Sequence, residues 1–178
     1  MLVRTAILMA GGKGVRMHDP EKCMIRIGKF IIIANLVEIL SHSGFEIVIA
    51  TTSLHRKVCR FAEKNRMDIV YTAGSGYEKD LGEAVVSLGK VPVLVAPCDL
   101  ITGDRGLFEE VWEAGTRSGA GVVTFTLNGD LSGISVMNRL PQMGIPMDFE
   151  TIDIRSGGSF NVNTPADLER ARSYFLMP

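Results

Sequence analysis

The sequence predicts an α/β fold in which helices cover both faces of a parallel sheet, and two observations support this prediction. First, short apolar runs without polar alternation are typical of buried strands; they are Val3–Leu8, Glu46–Thr51, Asp68–Tyr71 and Pro92–Ala96. Second, each run is followed by an amphipathic stretch with helical spacing; these stretches are Ile31–Ser41, Leu54–Asn65, Tyr77–Leu88 and Arg105–Arg117. Buried strands that alternate with helices indicate a parallel sheet covered on both sides.

The helical pattern is clear in the second of these stretches, where Leu54, Val58 and Phe61 recur at spacings of four and three residues. This spacing places three apolar side chains on one helical face. We therefore expect that face to pack against the sheet.

The last third of the sequence is less regular. Strand predictions there cover Ala120–Thr126, Gly133–Met137 and Phe149–Ile154. A final helix is expected after Thr164, because a threonine N-cap followed by Pro165 is a common helix start. The segment from Asn128 to Phe149 has a composition that fits a substrate lid and an ordinary loop equally well.

Length, composition and charge exclude several classes of protein. A chain of 178 residues favours one domain, covering residues 1–178. The formal net charge of −1 and the lack of a long basic stripe argue against general nucleic-acid binding. Three scattered cysteines, Cys23, Cys59 and Cys98, indicate neither a zinc site nor a disulfide framework. The apolar runs are too short for a membrane span and form no signal peptide, so we expect a cytoplasmic protein.

The most informative segment follows the first predicted strand, where glycines and cations lie close together. They are Gly11, Gly12, Lys13, Gly14, Arg16 and Lys22. Glycines allow the backbone to approach a ligand closely, because no Cβ intervenes. A tight cationic loop at the carboxyl end of a first strand is suited to holding a polyphosphate. The sequence therefore predicts a nucleotide site at this loop.

This loop differs from the better-known phosphate-binding motifs. No lysine in it is followed by Ser or Thr, as a P-loop requires, and Met17 stands at the third glycine position of GxGxxG. No acidic residue ends the second strand, which argues against a dehydrogenase site. Arg16 offers a planar fork for two phosphate oxygens, and Lys22 offers a compact point charge. Asp19 and Glu21 lie between these cations and are expected to form weak ion pairs with them.

Polar side chains at two other strand ends complete the predicted site. Asp99 follows a predicted strand, where it serves either as a Mg²⁺ ligand or as the N-cap of the next helix. Strand alternation places Asn161 and Asn163 on one face, so that their amide oxygens act as ligands or only shape a strand-to-helix junction. Cys98 is interpreted as a small buried hydrophobe, since no histidine or lysine adjoins it.

A second glycine loop, Gly74–Gly76, precedes the helix that is predicted to begin at Tyr77. It either contacts a nucleobase through backbone groups or only turns the chain. The histidines His18, His42 and His55 form no metal-binding pattern, and each is expected at the surface.

Taken together, these features resemble the MobA-like nucleotidyltransferase superfamily of Rossmann-like proteins, over the chain from Ala6 to Leu168. The motif MAGGKGVRM followed by EK is specific for the superfamily. The runs SGYEKDL and CDLI, with FNVNTPADL, resemble the archaeal adenosylcobinamide-phosphate guanylyltransferases within it. The sequence departs from the pattern at His18, where many relatives have glycine, and at Phe30, where many have proline.

The resemblance implies a Rossmann-like three-layer sandwich with a mostly parallel sheet of about seven strands. It also implies transfer of GMP from GTP to the phosphate of adenosylcobinamide phosphate, with release of pyrophosphate and with Mg²⁺ as cofactor. The implied nucleotide-binding residues are Leu8, Ala10, Gly11, Gly12, Lys13, Gly14, Arg16, Lys22, Gly74, Gly76, Tyr77 and Asp80. The implied catalytic residues are Arg16, Lys22 and Asp99, and the implied metal ligands are Asp99 and Asn163. As a neutral oxygen donor, Asn163 is expected to bind Mg²⁺ more weakly than an acidic ligand would.

Two alternatives stay open at this point. The acceptor of the nucleotide is a corrinoid, molybdopterin, or a sugar or polyol phosphate. In a different class, the chain is a nucleotide-binding module without catalytic activity. The presence of Arg16, Lys22 and Asp99 together argues against such a module, because a pure binder needs no metal carboxylate. The expected partners are GTP and a phosphate-bearing small molecule; the oligomeric state is left open.

Overall fold

The structure is a computed structural model that describes residues 3–142 and 144–176. Its strands are β1 (Arg4–Met9), β2 (Arg26–Ile27), β3 (Phe30–Ile31), β4 (Phe45–Thr51), β5 (Asp68–Tyr71), β6 (Val93–Pro97), β7 (Leu100–Thr102), β8 (Val122–Leu127), β9 (Asp130–Met137), β10 (Phe149–Ile154) and β11 (Ser159–Asn161). Its α-helices are α1 (Ile32–His42), α2 (Arg56–Lys64), α3 (Tyr77–Leu88), α4 (Leu107–Arg117) and α5 (Pro165–Phe175).

Seven of these strands form one sheet, in the order β10-β8-β9-β6-β1-β4-β5. Strand β9 is antiparallel to both of its neighbours, and the other neighbouring pairs are parallel. The mostly parallel, Rossmann-like sheet implied by the resemblance is confirmed.

Helices cover both faces of the sheet. Residues along β1 show this, since they alternate between two apolar clusters that contain different helices. Ala6 and Leu8 belong to the larger cluster, which also contains residues of α1, α2 and α4. Ile7 and Met9 belong to the opposite cluster, which contains residues of α3. Burial on both faces explains why this strand is apolar throughout its length.

The order of the strands reverses at β1, and this reversal positions the site. Along the chain, β1 is followed in the sheet by β4 and β5 on one side, and then by β6 on the other side. Met9 at the end of β1 lies opposite Pro97 at the end of β6 in the parallel register. Ligands of open α/β sheets bind at the carboxyl edge where the strand order reverses. The loop after β1 and the residues after β6 are therefore neighbours at that edge.

The predicted strands and helices are confirmed, with bounds that differ by no more than three residues. The predicted start of the last helix is also confirmed. Thr164 Oγ1 accepts a hydrogen bond from the Asp167 N–H at 3.2 Å, and Asp167 Oδ2 accepts from the Thr164 N–H at 2.8 Å. These reciprocal bonds form a capping box.

Two interpretations of the sequence are wrong. Leu54 lies before the start of α2 and is 84% exposed, so it does not share the buried face with Val58.

The segment from Asn128 to Phe149 is neither a lid nor a loop over its first half. Asn128 and Gly129 have φ values of +55° and +85° and join β8 to β9 in a tight turn. The following residues form β9 inside the central sheet; residue 143 of this segment lies outside the described residues.

Two small antiparallel ribbons, β2 with β3 and β7 with β11, were not predicted. Their strands have two or three residues each, which is too short for a periodic pattern. The β7 strand begins directly after Asp99, whereas α4 begins at Leu107 with Gly106 as its N-cap. The alternative that Asp99 caps the next helix is therefore wrong.

Gly115 allows α4 to pack closely on β9, because a Cβ at this position would lie 2.6 Å from Cγ2 and 2.7 Å from Cβ of Val136. We expect Gly115→Ala to lower the free energy of unfolding by about 1–3 kcal/mol through overpacking. Gly82 in α3 is the matched control, since a Cβ there meets nothing within 4 Å. Gly82→Ala is expected to raise the free energy of unfolding by roughly 0.5–1 kcal/mol. Urea denaturation measures both effects, and equal shifts in the two variants would contradict this packing.

Candidate active site

A cavity of about 600 Å³ opens at the carboxyl edge of β1 and β6. Most of the residues predicted to bind the nucleotide line it; they are Gly11, Gly12, Lys13, Gly14, Arg16, Lys22, Gly74, Gly76, Tyr77 and Asp80. Asp99 and Asn163, the predicted metal ligands, line the same cavity. The fold thus brings together both glycine loops and the polar ends of two further strands.

Leu8 and Ala10 do not line the cavity. Both are buried in the larger apolar cluster. The Ala10 N–H donates to the carbonyl oxygen of Ala50 at 2.7 Å, and the Ala10 carbonyl accepts from Thr51 Oγ1 at 2.9 Å. These bonds join the end of β1 to β4, so both residues support the loop without facing the cavity.

The first glycine loop turns sharply at Gly14, whose φ of +58° is left-handed. A Cβ at Gly14 would overlap the carbonyl oxygen of Asp19, so only glycine fits this turn. From Gly11 to Gly14, no backbone N–H donates to another backbone group within residues 3–142 and 144–176. Free N–H groups in such a turn are suited to an anion. His18 is also left-handed, with φ +52°, a conformation that glycine adopts without strain.

An ion pair and an amide join the loop cations to distant parts of the chain. Lys22 Nζ lies 2.5 Å from Asp99 Oδ2, and the two side chains are 15% and 13% exposed. The same ammonium donates to Asn163 Oδ1 at 2.7 Å. Asn163 Oδ1 also accepts from Arg16 Nη2 at 3.1 Å. The predicted catalytic residues and metal ligands therefore form one connected network.

Asp99 and Asn163 fit a magnesium site that substrate phosphates would complete. Asp99 Oδ2 and Asn163 Oδ1 both contact the Lys22 ammonium, so the two oxygens lie close enough together to contact one cation. One carboxylate and one amide oxygen suffice for Mg²⁺ when phosphates and waters supply the other ligands. In the described part of the chain, no group of three or more His, Cys, Asp or Glu could hold a metal ion. A metal ion held here would therefore take most of its other ligands from nucleotide phosphates and water.

The acidic residues of the loop bind backbone groups, so the expectation that they pair with the loop cations is wrong for the described residues. Asp19 Oδ1 accepts from the Glu21 N–H at 2.9 Å. Glu21 Oε1 accepts from the N–H groups of Lys57 at 2.5 Å and Val58 at 3.0 Å. A carboxylate at this position satisfies free donors at the amino end of α2. These two acids therefore do not neutralise the cations that line the cavity.

The surface position predicted for all three histidines is wrong for His55, which is 6% exposed. Its Nε2 lies 3.1 Å from the carbonyl oxygen of Gly12, and its Nδ1 lies 2.7 Å from Thr52 Oγ1. His42 and His18 are both exposed, as expected. No local pattern in the sequence signals the contact of His55, because Gly12 is 43 positions away.

The second glycine loop is held by Asp80, which is 6% exposed and whose Oδ1 accepts from the Ser75 N–H at 3.0 Å. The Tyr77 hydroxyl donates to the carbonyl oxygen of Gly133 on β9 at 3.3 Å. Partial removal of this hydroxyl from water, followed by the charge of Asp99, raises the pKa of Tyr77 to about 12. The hydroxyl therefore stays a hydrogen-bond donor at neutral pH.

Asn161 lies in the cavity, although the family resemblance implied a metal-binding role for Asn163 alone. It lines the cavity together with Asn163, as strand alternation predicts. Its Nδ2 donates to the carbonyl oxygens of Leu131 at 3.0 Å and Ser132 at 3.1 Å. Its Oδ1 is buried and has no hydrogen-bond partner among the described residues. This oxygen is available to a donor group of a ligand.

Cys98 lies next to Asp99 but is not an activated nucleophile. The neighbouring thiol of Cys23 and burial raise the pKa of Cys98 well above its ordinary value. The side chain is therefore a neutral thiol at physiological pH, which agrees with its interpretation as a small hydrophobe.

This fold is shared with nucleotidyltransferases. Residues 6–141 match the profile of the MobA-like NTP transferase domain, and the chain belongs to this family. The adenosylcobinamide-phosphate guanylyltransferase of Methanocaldococcus jannaschii is 36% identical to it over 102 residues, which are 54% of this chain and 52% of that protein. The chain thus matches about half the length of this relative.

Solved structures share the fold over nearly the whole chain. HddC from Yersinia pseudotuberculosis, complexed with GMP-PN, has a TM-score of 0.76 at 13% identity, with 97% of this chain and 99% of that chain covered. UDP-glucose pyrophosphorylase from Acinetobacter baumanii has a TM-score of 0.75 at 11% identity, with 98% and 93% covered. Such low identities establish the fold alone. Among the described residues, no helix is both long and apolar enough to cross a membrane.

The Lys22 ammonium contacts both predicted metal ligands, Asp99 and Asn163, so we expect it to compete with a metal ion for their oxygens. We expect Lys22→Met to tighten Mn²⁺ binding without nucleotide by about tenfold, because it frees both oxygens and removes a nearby positive charge. Lys13→Met is the matched control, since it removes the same charge from the loop but leaves the Lys22–Asp99 pair intact. Electron paramagnetic resonance of free Mn²⁺ measures the affinity. Equal affinity in the two variants would contradict the direct competition.

Proposed function

We propose that this chain is a guanylyltransferase that moves GMP from GTP to the phosphate of adenosylcobinamide phosphate and releases pyrophosphate. The observation that carries the proposal is the convergence of the glycine loop, Lys22 and Asp99 at one cavity. Nucleotidyl transfer needs a phosphate-binding loop, a cation and a metal carboxylate close to one phosphate. The corrinoid acceptor and the guanine base are supported by the sequence motifs and by the identity with the Methanocaldococcus jannaschii protein.

The proposed reaction forms one phosphorus–oxygen bond and breaks another. An oxygen of the acceptor phosphate attacks the α-phosphorus of GTP in line with the leaving group. The bond from the α-phosphorus to the bridging oxygen breaks, and its electron pair leaves with pyrophosphate. The acceptor phosphate is already an anion at neutral pH, so no general base is required. This agrees with a cavity whose described lining contains no histidine.

The main barrier to this reaction is the repulsion between two phosphate anions. Lys13, Arg16 and Lys22 all line the cavity, where their charges offset that repulsion. Lys22 is 15% exposed, so water screens its charge less than that of a surface lysine. When bound between Asp99 and Asn163, Mg²⁺ would supply further positive charge to the phosphate oxygens. Catalysis would therefore rest on positioning and charge neutralisation.

We expect Lys22→Ala to lower turnover by about 10²-fold or more, because one donor to the transition state is lost. Lys64→Ala, at the exposed end of α2, is the control and is expected to keep full activity. Pyrophosphate release in the presence of acceptor measures turnover, and circular dichroism checks the fold. A loss of less than about tenfold in a folded Lys22→Ala protein would exclude a catalytic role for Lys22.

The proposed function is tested by incubating the protein and Mg²⁺ with adenosylcobinamide phosphate and each of GTP, ATP, CTP and UTP. Mass spectrometry is expected to detect a nucleotide-linked corrinoid with GTP alone, together with released pyrophosphate. Parallel reactions contain molybdopterin or a hexose 1-phosphate in place of the corrinoid.

The products distinguish the proposed reaction from its alternatives. Product from ATP, or from another acceptor in preference to the corrinoid, would replace the proposed substrate pair but keep nucleotidyl transfer. Nucleotide binding without pyrophosphate release from any pair would instead indicate a binding module without catalysis.

A further inference from the structure

His55 joins the glycine loop to the amino end of α2. It occupies the N-cap position of that helix and is 6% exposed. Both nitrogens of its ring contact protein atoms, Nε2 the carbonyl oxygen of Gly12 at 3.1 Å and Nδ1 the Thr52 Oγ1 at 2.7 Å. His55 does not line the cavity. It can therefore act on a ligand only through the loop.

The hydrogen bonds around His55 fix the direction of each donor. The Leu54 N–H donates to Thr52 Oγ1 at 3.3 Å. The carbonyl oxygen of Gly12 can only accept, so Nε2 of His55 carries the ring hydrogen and donates it to this oxygen. In this tautomer Nδ1 is an acceptor, and it accepts from the Thr52 hydroxyl. All three bonds act in one direction, from the backbone of Leu54 to the backbone of the loop.

The bond to the Gly12 carbonyl also orients the next N–H. A trans peptide is planar, so its C=O and N–H point in opposite directions. The carbonyl of Gly12 points to His55, and the N–H of Lys13 in the same peptide must point away from α2. Gly12 and Lys13 both line the cavity. Among the described residues, the Lys13 N–H donates to no backbone acceptor.

A second contact holds the other end of the same loop. The Glu21 carboxylate accepts from the Lys57 and Val58 N–H groups in the first turn of α2. The segment from Gly12 to Glu21 is thus attached at both ends to the start of one helix. An arrangement of this kind limits the conformations that the intervening glycines can adopt.

We propose that His55 is a positioning residue that holds the Gly12–Lys13 peptide in the orientation that binds nucleotide phosphate. This inference rests on the proposed function only in that the loop binds a phosphate. His55 pre-organises the loop before the nucleotide arrives, so that binding does not have to order it.

Two amide variants of similar size test this role. In His55→Gln the side-chain amide reaches the position of Nε2 and can donate to the Gly12 carbonyl. In His55→Asn the shorter amide reaches only the position of Nδ1. Hydrogen exchange of the free protein is measured by mass spectrometry on a peptide that covers residues 10–17. The dissociation constant for GTP is measured by calorimetry, with His42→Ala as an exposed-histidine control.

We expect His55→Asn to speed exchange in the loop and weaken GTP binding, each by roughly tenfold, because one hydrogen bond is lost. His55→Gln is expected to stay within about threefold of the unmodified protein, and His42→Ala should match it. Equal behaviour of the Asn and Gln variants would overturn the inference, as would faster exchange throughout the chain in His55→Asn. If the unmodified protein binds no GTP, the proposed function fails, whereas the exchange difference between the two variants still decides whether His55 orders the loop.

Discussion

The ion pair between Lys22 and Asp99 joins the two strand ends on which the cavity depends. Lys22 belongs to the segment after β1, and Asp99 directly follows β6. The parallel pairing of β1 with β6 makes these two strand ends neighbours, and the ion pair then connects them at 2.5 Å. Both side chains are largely removed from water, so the loss of either partner would leave a costly unpaired charge. The fold therefore keeps a cation and a carboxylate together at the base of the cavity.

The charge of the cavity differs from the charge of the whole protein. The chain has a formal net charge of −1, yet the described lining of the cavity holds three cations and only two carboxylates, Asp80 and Asp99. This difference arises because Glu21 binds the start of α2 and Asp19 binds the backbone of its own loop. Local fields depend on where side chains point as well as on how many there are. An anionic ligand would therefore meet a positive surface on a slightly acidic protein.

The sequence predicted the parts of the structure that depend on local patterns. Buried strands and amphipathic helices repeat over several residues, and the ends of parallel strands meet at one edge by geometry, so the convergence of the glycine loop and Asp99 could be predicted. The contact between His55 and Gly12 could not be predicted, because the two residues lie 43 positions apart and no periodic pattern links them. The helix N-cap at His55 likewise excludes Leu54 from α2, although Leu54 has the spacing of a buried helical residue. The start of α2 at Arg56, which apolar spacing does not define, thus decided which of the spaced residues are buried.

The contacts of Asn163 determine how late in synthesis the cavity can be completed. Arg16 and Lys22 reach this residue across 147 and 141 positions of the chain. A ribosome synthesises the glycine loop early and Asn163 much later, while the earlier segments already collapse. Contacts with such large separation in sequence form slowly, because a long intervening chain must first be ordered. A translation product that stops before β11 would contain the whole glycine motif and Asp99 but would lack the amide that holds Arg16 and Lys22 together.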